Sequence, residues 1–153
     1  MGFYEWMLAL HVLSAFAIAA ALVLFSVLIF GGRRMTTLAD TRTLFRVAPV
    51  GTVLIGAGTL LVLVLGIILA IDSERYEIWN FWVIAAIVLW AILGATGQRT
   101  GAYYTEVQKL AQDAGAESEV LARLRAPTGA RLHLATIAIF LLLLLDMIFK
   151  PWA

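Results

Sequence analysis

The chain has 153 residues, 63% hydrophobic and only 14% charged, with a formal net charge of +1 and no cysteine. This length supports one domain, and the apolar excess is more than a water-soluble core of this size can use. The absence of cysteine excludes disulfides, thiol nucleophiles, cysteine-ligated iron–sulfur clusters and c-type haem attachment.

The first apolar run, Tyr4–Phe30, starts beside an acidic Glu5 rather than a basic n-region and ends at Arg33 and Arg34. It reads as a retained membrane helix, not a signal peptide. Ser14 and a series of alanines, Ala15 to Ala21, make it rich in small residues. The first connection follows, carrying Arg33, Arg34, Arg42 and Arg46. The second run, Val47–Ile71, places Pro49 in its first turn, where a missing N–H is harmless. Helical spacing puts Gly51, Ile55, Gly58, Val62, Leu65 and Leu69 on one face of it. Small residues there favour close helix packing, the reading adopted for its glycines. A short acidic connection, Asp72–Glu77, leads to the third run, Ile78–Gly97. Each run can cross a hydrocarbon core of about 30 Å at about 1.5 Å per residue. The runs lack period-2 alternation and exceed the ~10 residues of a barrel strand, so they read as helices.

The long third connection, Gln98–Arg131, carries five more basic residues. Thr105–Ala114 reads as a continuation of the third helix and Glu117–Arg125 as a short amphipathic helix, together a solvated hairpin with Arg123 and Arg125 suited to anionic headgroups. Pro127 and Gly129 are expected to break the chain before the fourth run, Leu132–Phe149. Nine of the eleven Lys and Arg residues therefore fall on one side of the membrane. The positive-inside rule makes that side cytoplasmic and places both termini outside. Tyr4, Trp6, Tyr76, Trp79, Trp82 and Trp152 then mark the outer boundary, while Trp90 is a mid-membrane residue expected to pack.

The expected fold is thus all-α, a single four-helix transmembrane bundle. Few polar groups lie within it. His11 and Asp146 sit at comparable depth in the outer layer, near Glu5 and Asn80. A His–Asp pair there could form a proton, ligand or quinone site. Alternatively, Asp146 pairs with Lys150 at i,i+4 and His11 fills a packing gap. His133, two residues past Arg131, reads as an interfacial residue. The two histidines stand too far apart in height, about 17 Å, to ligate one haem within one protomer. No Gly-rich phosphate loop, metal-binding His/Cys cluster or serine elbow occurs, and nothing points to nucleic acid.

Certain residues carry a resemblance: Leu10-His11-Val12-Leu13, then Thr43-Leu44-Phe45-Arg46 leading through Pro49 into a Gly-rich helix, Trp79, and the closing Asp146-Met147-Ile148-Phe149-Lys150-Pro151. Over nearly its whole length the chain resembles four-helix bacterial integral membrane proteins of unknown function. More distantly it is similar to HemJ-type protoporphyrinogen oxidases and CopD-like copper-resistance membrane proteins. The resemblance implies a bacterial inner-membrane location. It makes His11 a candidate ligand of haem b, and Lys150 the match to a terminal lysine. The third run has neither the His nor the Lys of the HemJ type. The functional expectation is an accessory or structural subunit of a membrane assembly, with itself or other membrane proteins as partners. The alternatives are a haem- or quinone-linked oxidoreductase using His11, and an oligomeric transporter of ions or small molecules.

Overall fold

A computed structural model describes residues 2–72 and 79–149. The described chain is helical without strands, and its order is α1 (Phe3–Gly32), α2 (Leu38–Phe45), α3 (Ala48–Asp72), α4 (Phe81–Leu110), a 3-10 turn at Ala114–Ala116, α5 (Glu117–Arg125) and α6 (Pro127–Phe149). Four stretches are long and apolar enough to cross a membrane. The protein is a multi-pass helical membrane protein. Its expected contacts at Tyr76, Lys150 and Trp152, and the start of the third helix at Ile78, lie outside the described residues.

The long helices form two closely packed antiparallel pairs, α1 with α3 and α4 with α6, joined more loosely to each other. Lipid offers no hydrophobic drive between helices, so each pair depends on close contact of complementary surfaces. In the first pair the surface is made by glycines. A Cβ on Gly58 would stand 2.9 Å from Ile18 Cγ1 and 3.0 Å from the Ser14 carbonyl oxygen, and one on Gly51 2.9 Å from Phe25. Gly51, Gly58 and Leu65 are buried along one face of α3, as their spacing predicts. Trp90 does pack: its indole N–H crosses from α4 to donate to the Thr59 carbonyl of α3 at 3.0 Å. Ile18 and Leu22 of α1 meet Ala86 and Leu93 of α4 and Phe140 and Leu143 of α6 in the central core.

At the end where the basic residues gather, three expectations need correction. First, the connection after α1 contains a helix, α2, that hydrophobic run length does not reveal. Thr37 caps it, its Oγ1 accepting from the Asp40 N–H at 3.1 Å. Second, Pro127 opens α6 rather than breaking the chain. A first-turn proline loses no helical hydrogen bond, so α6 starts five residues before Leu132. Gly129 lies inside that first turn, pressed on two aromatic rings. A Cβ there would collide with the Tyr104 hydroxyl and approach Tyr103 Cε1 to 2.7 Å.

Third, the α4–α5 hairpin is docked, not merely solvated. Tyr104, Val107, Ala111, Val120 and Leu124 are buried with Ile29 and Leu38 in a second core. Polar bonds lock it. The Arg33 guanidinium donates to the Ala126 carbonyl at 2.9 Å, and the Tyr103 hydroxyl to the Arg123 carbonyl at 2.7 Å. The Leu38 N–H donates to Glu117 at 2.9 Å. α5 has the expected bounds, and the residues predicted to be apolar on it, Val120 and Leu124, face this core.

Candidate functional site

His11 lies eight residues into α1, about 12 Å from its start. It shares the inward face that continues through Ser14, Ile18 and Leu22. The ring lies against α3 because Gly66 has no side chain: a Cβ there would stand 3.1 Å from Cε1 and 3.6 Å from Nδ1. Nδ1 is buried and makes no hydrogen bond among the described residues. A buried polar atom left in that state carries a desolvation cost.

Asp146 lies near the same end of the molecule, one residue before Met147, which packs on the central core. Its Oδ2 is likewise buried and makes no hydrogen bond among the described residues. No hydrogen bond or ion pair joins it to His11 among the described residues. Glu5 has a structural task here: its carboxylate accepts from the Gly2 N–H at 3.0 Å at the start of α1, the half of a capping box that an N-cap glycine allows. Asn80 occupies the N-cap of α4 with no side-chain cap bond.

His133 is enclosed between helices: it is only 2% exposed, and its Nε2 lies 2.8 Å from Ser26 Oγ of α1. Ser26 donates its single proton to the Leu22 carbonyl at 2.8 Å. The serine oxygen therefore accepts from His133, placing that ring's proton on Nε2. One turn further along α6, Thr136 is 2% exposed and approaches Thr100 of α4 at 3.4 Å. Both hydroxyls donate to carbonyls of their own helices, Leu132 and Thr96, which leaves that approach a weak one. A polar layer thus crosses α1, α6 and α4.

This layer is not visible in the sequence, because which side chains face each other across helices is not a property of any one run. With the start at Pro127, His133 stands about 9 Å along the helix, level with Ser26 at about 9 Å from the end of α1. Ser26 marks the height of His133, and it is fifteen residues from His11, about 22 Å along α1. One haem cannot be ligated by both histidines of a protomer. No group of three or more His, Cys, Asp or Glu side chains suited to a metal ion occurs among the described residues.

Away from these residues, an apolar groove of about 310 Å³ runs along the α1–α3 seam, floored by Ala17, Ala57 and Gly58 and walled by Leu13, Leu54 and Leu61. A second, of about 270 Å³, opens at the basic end between α2 and α4. No protein-family profile, curated protein or solved structure matches this chain.

Proposed function

We propose that this protein is a non-catalytic subunit of a membrane assembly, with its basic end cytoplasmic, and that it associates through the α1–α3 face. The groove between those helices carries this reading. Its floor is small residues and its rim leucines, the surface on which a membrane helix can pack closely. α3 also meets α4 over only a short stretch, so Val53, Leu60, Leu61 and Val64 remain uncovered beside the groove. A second copy of the chain is the simplest occupant. Since the chain has no cysteine, a single Ala57→Cys is a unique reporter. Copies carrying it should cross-link in native membranes, whereas copies carrying Val88→Cys, on the exposed side of α4, should not. Cross-linking that is equal at both positions would defeat the proposal.

A haem- or quinone-linked role is the second reading, favoured by the unpartnered Nδ1 of His11. A bound haem b would supply electron transfer; His11 would hold and orient it, and Asp146 would supply charge at that end. The resemblance to HemJ-type enzymes points the same way. The protein purified in mild detergent should then show a Soret band that sharpens on dithionite reduction and disappears in His11→Ala. A spectrum with no absorption beyond the 280 nm band, from cells supplied with haem precursor, would remove haem from consideration.

A further inference from the structure

The cleft at the basic end has a composition that no structural task explains. It lies between α2 and the last turns of α4, with Arg42 and Arg46 on one wall, Gln108 and Gln112 on the other, and Phe45 and Pro49 between them. No acidic side chain lines it. Arg42 and Arg46 stand four residues apart, on one side of α2 and its C-cap, where like charges repel. Neither forms an ion pair among the described residues.

Arg42 is held in place. Its Nε–H donates to the Ala111 carbonyl at 2.6 Å, satisfying the C-terminal end of α4. The two terminal nitrogens of its guanidinium make no hydrogen bond among the described residues, which leaves them for an oxyanion. Arg46 makes no side-chain bond at all among the described residues. The first turn of α3, a 25-residue helix, borders the same cleft through Pro49 and adds the positive end of its dipole.

The cleft also continues into an apolar surface. Pro49 and Val53 share a face of α3, and Val53 is 68% exposed. From there the uncovered stripe runs on through Leu60 and Val64. A ligand with its charge at Arg42 and Arg46 can thus lay an acyl chain along α3 without leaving the membrane. A volume of about 270 Å³ falls just under the roughly 300–1,000 Å³ of sites for larger organic ligands, and suits a headgroup.

We infer that this cleft is a binding site for the phosphate headgroup of an anionic phospholipid, gripped by Arg42 and Arg46, with its acyl chain on the Pro49–Val53 face of α3. The test is native mass spectrometry of the detergent-solubilised full chain titrated with phosphatidylglycerol or phosphatidylcholine. The wild type should prefer phosphatidylglycerol. Arg46→Gln should weaken that lipid roughly fivefold, and Arg42→Gln with Arg46→Gln roughly thirtyfold, at about 1 kcal/mol per arginine. Arg46 holds nothing in the fold, so its variant should keep the wild-type circular dichroism spectrum. Arg99→Gln with Arg131→Gln, a change of equal charge at exposed positions outside the cleft, should leave the preference intact. An unchanged preference in Arg46→Gln, or an equal loss in the Arg99/Arg131 variant, would overturn the site. Glycerol 3-phosphate should not compete at equal concentration. If it does, the cleft takes a soluble phosphate and the lipid assignment is wrong.

Discussion

The two histidines mark the two ends of this molecule, and they are treated in opposite ways. At the basic end, His133 is 2% exposed and bonded to Ser26. Around it the Arg33, Arg42 and Tyr103 side chains each close on a backbone carbonyl. At the far end, His11 Nδ1 and Asp146 Oδ2 are enclosed and make no hydrogen bond among the described residues. A buried polar group that is satisfied specifies packing, while one that is not costs free energy. The polar layer at His133 thus ties helices together, whereas His11 and Asp146 supply no such tie.

That contrast can be broken experimentally. The largest effect is expected at Gly129, where a side chain would meet the rings of Tyr103 and Tyr104 rather than a flexible neighbour. Gly129→Val should cost about 3 kcal/mol, seen as an earlier unfolding midpoint in mixed micelles titrated with dodecyl sulfate. A midpoint matching wild type would mean that the α4–α6 seam is loose. His133→Ala comes next, at about 2 kcal/mol. It leaves a cavity and removes the bond that ties α6 to α1, partly offset because membrane hydrogen bonds are individually modest. The smallest change is expected at the far end. His11→Ala and Asp146→Asn should each stay within about 0.5 kcal/mol of wild type in the same titration, because neither removes a bond that the chain makes. If either destabilises as much as His133→Ala, the far end is scaffold too and the contrast fails.

The extent of the fold that could be read in advance differs along the chain for a physical reason. α1 and α3 are apolar almost throughout, so their ends were visible within one or two residues. α2 was not, because eight mixed residues carry no long apolar run, and it is held by Thr37 and by docking on α5. The start of α6 was misplaced because Pro127 reads equally as a breaker and as a first-turn residue. His133 meets Ser26 across two helices far apart in the sequence, a contact that no single run reveals. His11 and Asp146 were visible as rare polar residues in apolar runs. That His11 faces α3, however, depends on the space left by Gly66.

By itself, then, the sequence determined that the chain is a membrane protein of long helices with its basic residues gathered at one end. Hydrophobic length and charge are additive properties of a segment, and they need no knowledge of neighbours. Only the tertiary structure decided that the helices pair as α1 with α3 and α4 with α6. It also decided that His133 is satisfied while His11 is not, and that Arg42 and Arg46 line a cleft. Each of these depends on which side chains are brought face to face across helices, and helix rotation and register are set by close packing between segments distant in sequence.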